Sequence, residues 1–168
     1  SWKGAYEAAL FSSLVDIPLV LAGPVWEPNY FKRILDDFGN NVTYIGEVGE
    51  EKKKILLSEA RATLVFSGGL HEPTGKKWVE PGSQIVSESA ISGTPIISSP
   101  NGCLSEIVPL VGTVVEDIYS LNKISAKKII DSLPSSKEVY EKCFENWNYI
   151  KIAKEYEEYY QMVLNGYE

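Results

Sequence analysis

The chain has 168 residues, 44% of them hydrophobic, so it is long enough to bury the core of one ordinary domain and is not disordered in composition. Its 16 basic residues against 23 acidic ones give a net charge of −7, which excludes nucleic acid and anionic membranes as expected partners, because no basic patch overrides it. No apolar run reaches the roughly 18 residues of a membrane-spanning helix, and Cys103 and Cys143 lack metal-ligand spacing, so we expect reduced thiols in a cytoplasmic protein.

Amphipathic segments and short apolar runs alternate along the first two thirds of the chain. The spacing of apolar residues predicts helices at 4–15, 29–38, 50–60, 84–92 and 105–108. The apolar runs between them predict strands at 17–22, 41–45, 62–66, 95–98 and 112–115. This alternation predicts an α/β fold with a doubly wound, mostly parallel, Rossmann-like sheet.

The chain beyond residue 118 reads as helical, with segments at 121–132, 136–147 and 149–165. The last segment carries an apolar stripe on neighbouring turns, made of Ile152, Tyr156, Tyr159, Tyr160 and Val163. Aromatic stripes at helical spacing usually pack against a core, and we expect this one to do so. The alternative is that the helix crosses to another domain and exposes some of its aromatic residues.

Two glutamates, Glu80 and Glu88, flank the predicted start of a helix. Pro81 and Gly82 end a loop, Ser83 is a plausible N-cap, and a helix follows from Gln84. A helix amino end offers unpaired N–H groups and partial positive charge, which suit a phosphate, while a carboxylate can accept hydrogen bonds from two sugar hydroxyls. A nucleotide sugar carries both kinds of group.

This stretch resembles the Glu-x7-Glu signature of family 4 retaining glycosyltransferases, in the C-terminal, donor-binding domain of their GT-B fold. Further matching pieces, in the family's order and spacing, are Lys3-Gly4 and residues 18–24, 44–48, 88–97 and 101–108. The chain departs from the family in two places. It reads Glu80-Pro81-Gly82-Ser83 where the family usually has Glu-Pro-Phe-Gly, and a longer segment, 68–79, precedes Glu80.

The resemblance implies a role for each matching side chain. Glu88 should accept hydrogen bonds from the ribose 2′ and 3′ hydroxyls, and Glu80 should face the hydroxyls of the transferred sugar. Lys3 should offset the charge that builds on the leaving nucleotide, unless it is only a frayed terminal lysine.

The remaining implied contacts come from the backbone. N–H groups at Gly82, Ser83 and Gln84 should hold the pyrophosphate, while Val48 and Gly49 should meet the nucleobase. Gly23 either lines the diphosphate or forms a plain turn. Because backbone contacts leave little trace in a sequence, the sequence does not distinguish uracil, guanine and adenine as the base of the donor nucleotide. His71, the sole histidine, lies in a predicted loop with Lys76, Lys77 and Trp78 and is expected to be an ordinary surface residue.

The resemblance implies transfer with retention of anomeric configuration, with no cofactor and no metal, the substrate being a nucleotide-diphosphate sugar. The leaving phosphate would itself help deprotonate the acceptor. Because the chain opens at Ser1 without a methionine, we expect the family's N-terminal, acceptor-binding domain to precede it. Residues 1–168 would then form the donor-binding domain alone, inactive when isolated.

Other classes of protein share this alternation of helices and strands. A non-catalytic module of this fold that binds a nucleotide or a protein is the main alternative, and nucleotide-sugar 2-epimerases also share the fold. A receiver domain needs acidic residues at the ends of its strands, but these ends read Ala22-Gly23-Pro24 and Ser67-Gly68-Gly69. A dinucleotide dehydrogenase needs Gly-x-Gly-x-x-Gly after the first strand, which is absent.

Overall fold

The structure is a computed structural model that describes residues 1–71 and 75–166. Its elements in chain order are α1 (Ala5–Val15), β1 (Leu19–Leu21), α2 (Pro28–Phe38), β2 (Val42–Tyr44), α3 (Glu50–Glu59), β3 (Thr63–Val65), β4 (Leu70–His71), β5 (Lys76–Lys77), α4 (Gln84–Ile91), β6 (Ile96–Ser98), α5 (Leu104–Ile107), β7 (Gly112–Val114), α6 (Lys123–Asp131), α7 (Ser136–Trp147) and α8 (Tyr149–Leu164). Short 3₁₀ helices lie at Val108–Leu110 and Ile118–Ser120.

The long-range strand pairing is parallel. Strand β1 pairs with β2, and β6 lies between β3 and β7 in a second sheet. In that sheet Ile97 is in register with Leu64 on one side and Thr113 on the other. The predicted mostly parallel α/β architecture is therefore confirmed.

Helices cover both faces of the β3–β6–β7 sheet. Successive residues of a strand point to opposite faces, and Ile96 and Ile97 accordingly join two different core clusters. Ile96 packs with Val86 of α4 and with α7, whereas Ile97 packs with Phe11 of α1 and Ala126 of α6. Burial on both faces explains why the strand reads as an unbroken apolar run, and it confirms the doubly wound arrangement.

A β-hairpin that the sequence analysis did not predict follows β3. Strands β4 and β5 pair antiparallel, with Leu70 opposite Lys77 and the His71 backbone opposite Lys76. The Trp78 N–H then donates to the Gly69 carbonyl at 3.0 Å. The predicted loop around His71, Lys76 and Lys77 is thus partly strand, while residues 72–74 lie outside the described residues. The hairpin brings the chain back toward β3 just before Glu80.

The expectation that the aromatic stripe of α8 packs against the core is wrong. No residue of α8 between Tyr149 and Leu164 is buried, and the helix packs against α7. Tyr156, Tyr159 and Tyr160 are each more than half exposed. Helical periodicity shows that a helix has an apolar face, but it does not show what covers that face.

We predict that a chain ending at Asn148 is nearly as stable as the full chain. Because α8 contributes no buried residue, its removal should change the free energy of unfolding by less than about 1 kcal/mol, measured by urea denaturation. A chain that also lacks α7 is the control, because α7 buries Val139 and Cys143, and it should be strongly destabilised. Comparable losses in the two truncated chains would show that α8 belongs to the core.

Candidate functional site

Lys3 and Glu80 lie far apart in the sequence but are in direct contact. Lys3 Nζ donates a hydrogen bond to Glu80 Oε2 at 2.9 Å, and Trp78 Nε1 donates to the same oxygen at 3.2 Å. The Glu80 side chain is only 7% exposed, whereas that of Lys3 is 54% exposed. Lys3 is therefore a held side chain and not a frayed terminal one. It carries its charge to a buried carboxylate and still reaches solvent.

Two tryptophans complete this cluster. Lys3 Nζ lies 4.6 Å from the ring centroid of Trp2 and 4.8 Å from that of Trp78, within the range of cation–π attraction. The two indole rings contact each other with centroids 4.5 Å apart. The sequence analysis gave neither tryptophan a role. The available signal was the position of Trp78 two residues before Glu80 and of Trp2 next to Lys3.

The main chain of Glu80 is held by the loop that follows β6. The Cys103 N–H donates to the Glu80 carbonyl at 2.9 Å. Gly102 has a φ of +57°, and a Cβ there would overlap the same carbonyl oxygen. Only glycine meets both conditions without strain, so the Gly102-Cys103 pair fixes the position from which the Glu80 side chain extends.

The Glu80 carboxylate is kept ionised against the effect of its own burial. Burial acts to raise its pKa, but the hydrogen bonds from Lys3 and Trp78, the approach of the Ser67 hydroxyl and the charge of Lys3 together outweigh it. The pKa of Glu80 is consequently lowered from its ordinary value of 4.5.

Helix α4 begins next to this cluster, as predicted, with Ser83 at the N-cap and Gln84 as its first residue. The Ser83 side chain is buried but accepts no capping hydrogen bond from the helix. The space where a Cβ of Gly82 would lie is open to 4 Å. The amino end of α4 thus keeps N–H groups that its own N-cap side chain does not satisfy, and the approach over Gly82 is clear.

Glu88 lies one turn further along α4 and is bound by a lysine of α3. Lys53 Nζ donates to Glu88 Oε1 at 2.9 Å and to Glu50 Oε1 at 3.1 Å. The hydrogen bonds from Lys53 to Glu88 and then to Glu50 raise the pKa of Lys53. The Glu88 side chain remains 38% exposed, so it is oriented by Lys53 and still accessible. The sequence analysis did not single out Lys53, whose spacing from Glu50 is that of an ordinary helix-surface pair.

The residues expected to meet the nucleobase lie at the start of α3. Gly49 is the N-cap of this helix and is exposed, and Val48 is half-buried. Lys53 on α3 forms a hydrogen bond with Glu88 on α4, so the start of α3 lies close to the Glu88 carboxylate. A base near Gly49 and a ribose near Glu88 would therefore be neighbours.

Gly23 follows β1 in a left-handed conformation with φ +126°. Its N–H donates to the Gly46 carbonyl at 2.9 Å, and its carbonyl accepts from the Tyr44 hydroxyl at 2.7 Å. Both backbone groups are thus engaged in hydrogen bonds between the loop that follows β1 and the end of β2. A contact of Gly23 with the diphosphate stays a prediction.

The two carboxylates of the Glu-x7-Glu stretch have different cation partners, Lys3 for Glu80 and Lys53 for Glu88. The amino end of α4, at Gly82 and Ser83, lies between them in the chain. Within residues 1–71 and 75–166, no group of three or more His, Cys, Asp or Glu side chains could hold a metal ion. No helix in the described part of the chain is long and apolar enough to cross a membrane.

Comparison with known proteins identifies the fold. No protein-family model matches the chain, and no curated protein sequence matches it. Among solved structures, AviGT4, a glycosyltransferase involved in avilamycin A biosynthesis, is 44% identical over 98% of this chain, with a TM-score of 0.91. The chain has a glycosyltransferase-like fold. It spans about half of its relatives' length, covering 49% of AviGT4.

More distant structures support the glycosyltransferase-like fold at the level of architecture. Sucrose-phosphate synthase from Thermosynechococcus elongatus is 21% identical, with 98% of this chain and 43% of that protein aligned and a TM-score of 0.69. Anabaena HepE, solved in complex with UDP-glucose, is 18% identical and has a TM-score of 0.65. The alignment covers 95% of this chain and 45% of HepE. Both structures share the parallel α/β fold seen here.

Proposed function

We propose that this chain is the C-terminal, donor-binding domain of a retaining GT-B glycosyltransferase resembling family 4, and that it binds a nucleotide-diphosphate sugar. The observation that carries the proposal is the 44% identity to the glycosyltransferase AviGT4 over 98% of the chain. Two features of the site also support it, namely the Lys3–Glu80 contact and the uncapped amino end of α4, which offer groups suited to a sugar and to a phosphate.

In this proposal the donor lies along the amino end of α4. The ribose binds Glu88, the diphosphate binds the N–H groups at Gly82, Ser83 and Gln84, and the sugar hydroxyls meet Glu80. Lys3 is the phosphate-facing cation. Because Lys3 Nζ lies 2.9 Å from Glu80, the groups that recognise phosphate and sugar are adjacent, as they must be on either side of the bond that breaks.

The proposed reaction uses no cofactor and no metal. The bond between the anomeric carbon and the diphosphate oxygen breaks, and an acceptor hydroxyl oxygen bonds to the same carbon on the same face. The hydroxyl proton passes to the leaving diphosphate, whose developing charge Lys3 offsets. Glu80 would orient the sugar by accepting hydrogen bonds from its hydroxyls, for which its lowered pKa keeps it ionised.

We further propose that a preceding N-terminal domain supplies the acceptor site and that α8 packs against it. The chain covers 49% of AviGT4 and 43% of the sucrose-phosphate synthase, so a second region of similar length is present in those proteins. The exposed stripe of α8, with Tyr156, Tyr159 and Tyr160, is the surface on this chain that fits such a contact. The protein would act in the cytoplasm, where the unbonded Cys103 and Cys143 would stay reduced.

A nucleotide panel tests the proposal. We expect one of UDP, GDP and ADP to raise the melting temperature of the chain, because a ligand that binds only the folded state stabilises it by about 2.7 kcal/mol at 100 times its Kd. UDP is the first to test, since HepE was solved with UDP-glucose. The matching nucleosides are the controls and should shift the melting temperature less, because they lack the diphosphate that α4 would hold. If titration calorimetry also shows no heat with any diphosphate, the proposal that this chain binds a nucleotide-diphosphate sugar is wrong.

A further inference from the structure

The hairpin of β4 and β5 packs against the first residues of the chain. At its base the Gly68 N–H donates to the Trp2 carbonyl at 3.0 Å. A Cβ on Gly69 would lie 3.1 Å from Trp2 Cα and 3.2 Å from the Ser1 carbonyl oxygen, so a side chain there would crowd the two backbones. Glycine at this position lets the hairpin and the segment that carries Lys3 lie in direct contact.

The hairpin also places the Trp78 side chain beside this segment. Strand β5 ends at Lys77, and the Trp78 N–H then donates to the Gly69 carbonyl at 3.0 Å, which closes the hairpin next to its contact with Trp2. The indole rings of Trp2 and Trp78 meet with centroids 4.5 Å apart and an angle of 48° between their planes. The ring of Trp78 is therefore positioned from both sides, by the backbone of its own hairpin and by the Trp2 ring.

The two rings and Glu80 together restrict the Lys3 ammonium. Its nitrogen lies 4.6 Å from the ring centroid of Trp2 and 4.8 Å from that of Trp78, and it donates to Glu80 Oε2 at 2.9 Å. A lysine side chain without such contacts samples many rotamers, and ordering it when a ligand binds costs conformational entropy. Here the folded chain orders Lys3 in advance. Because the Lys3 side chain is still 54% exposed, the ordered ammonium can bind a ligand from solvent.

The indole N–H of Trp78 acts on the same carboxylate oxygen as Lys3. Trp78 Nε1 donates to Glu80 Oε2 at 3.2 Å, beside the hydrogen bond from Lys3. The negative charge of a carboxylate partly cancels the charge of a lysine paired with it, which weakens the attraction of that lysine for another anion. A second donor on Oε2 offsets part of this negative charge. Trp78 thus orders Lys3 and also leaves it better able to attract a phosphate.

We propose that Trp78 is a positioning residue of the donor site, which directs the Lys3 ammonium toward the diphosphate of the nucleotide sugar without touching the ligand itself. This inference rests on the function proposed above, in which Lys3 is the phosphate-facing cation. It also gives a role to the longer segment, 68–79, by which the chain departs from the family pattern. The described part of that segment contains the hairpin that carries Trp78 to Lys3.

A double-mutant cycle on diphosphate binding tests this role. Titration calorimetry gives the Kd of UDP, or of GDP or ADP if the nucleotide panel selects one of them. Trp78→Leu should raise this Kd about fivefold, because it removes a cation–π contact and an indole donor. In a Lys3→Met background the same change should alter the Kd less than about twofold, because the group that Trp78 positions is gone. Trp147→Leu is the control, since Trp147 on α7 packs against the core, and it should lower the melting temperature but leave the Kd unchanged.

Failure of this positioning role and failure of the donor-domain function give different results. If the unaltered chain binds a diphosphate and Trp78→Leu leaves the Kd unchanged, the positioning role is wrong and the donor-domain function stands. If Trp78→Leu raises the Kd equally with and without Lys3, the role is also wrong, because Trp78 would then act on the ligand or on the fold by itself. If no diphosphate binds the unaltered chain, the donor-domain function is wrong, and the role of Trp78 is wrong with it.

Discussion

Replacing Glu88 with alanine is expected to weaken the binding of the preferred nucleoside diphosphate by roughly 1–3 kcal/mol, a rise in Kd of about 5- to 150-fold. The loss follows because an ionised carboxylate accepts stronger hydrogen bonds from ribose hydroxyls than a neutral group does. In the structure Lys53 holds Glu88 Oε1 at 2.9 Å, and the Glu88 side chain remains 38% exposed. Isothermal titration calorimetry with UDP, or with whichever diphosphate the panel selects, measures the change.

The fold should survive this substitution. Lys53 keeps its second partner, Glu50, at 3.1 Å, and exposed ion pairs contribute only about 0–1 kcal/mol. Glu51→Ala is the matched control, because Glu51 forms a similar pair with Lys54 at 2.8 Å and its loss changes the net charge equally. The control should bind the nucleotide like the unaltered chain.

A ligand that lacks the ribose hydroxyls makes the test specific to them. The 2′,3′-dideoxy form of the same diphosphate should bind the unaltered chain and the Glu88→Ala chain with equal Kd. If the alanine variant loses affinity for this ligand too, Glu88 acts on another part of the nucleotide. An unchanged Kd for the ordinary diphosphate would remove Glu88 from the site altogether.

The α/β architecture could be predicted because its signals are local. Each buried strand is a short apolar run, and β6 reads as one because Ile96 and Ile97 are buried on opposite faces by different helices. Helix ends were less predictable. Helix α6 begins at Lys123, two residues later than predicted, because the Asn122 side chain caps it by accepting from the Ile124 and Ser125 N–H groups, each at 3.0 Å.

The elements that the sequence analysis missed or misjudged depend on contacts between distant parts of the chain. Strands β4 and β5 have two residues each, too few for an alternating pattern to show. The exposed stripe of α8 has the periodicity of a core-facing helix, and only the surrounding structure shows that no core lies beside it. Secondary-structure propensity and the spacing of apolar residues can be read from one segment, whereas burial depends on which other segment packs against it.

The candidate site shows the same division. Lys3, Glu80 and Glu88 were singled out one by one through a family resemblance, but the contact between Lys3 and Glu80 joins residues that lie 77 positions apart. Two hydrogen-bond partners of these glutamates were not found, namely Trp78 for Glu80 and Lys53 for Glu88. Neither leaves a motif, because its hydrogen bond to the glutamate forms only in the folded chain.

Lys3→Met is expected to lower the free energy of unfolding by about 1–2 kcal/mol at pH 7, because it leaves the buried Glu80 carboxylate with one strong donor fewer. The loss falls short of that for a fully buried ion pair since Lys3 is 54% exposed and Trp78 still donates at 3.2 Å. Urea denaturation measures it. Lys32→Met is the control, because it breaks the exposed Lys32–Asp36 pair and should change the free energy of unfolding by less than about 0.5 kcal/mol.

The loss should depend on pH in a definite direction. Folding lowers the pKa of Glu80 from 4.5, so its contribution to stability is fully present above the ordinary pKa and is lost as pH falls through the folded-state pKa. Without Lys3, burial acts to raise the pKa of Glu80 against fewer opposing groups, so this pKa is lowered less and the variant loses less stability on acidification than the unaltered chain. The difference between the two chains should therefore shrink as the pH is lowered from 7 toward 3.

The Glu80→Gln substitution tests whether the Glu80 carboxylate causes the loss of stability in Lys3→Met. In a Glu80→Gln background no charge is buried at this position, so adding Lys3→Met should cost much less than in the unaltered chain, and the difference should no longer vary with pH over this range. If Lys3→Met instead destabilises both backgrounds equally, Lys3 stabilises the fold through its contacts with the Trp2 and Trp78 rings. The Lys3–Glu80 hydrogen bond would then contribute little to stability. It would not explain why the carboxylate is ionised or why Lys3 and Glu80 lie side by side.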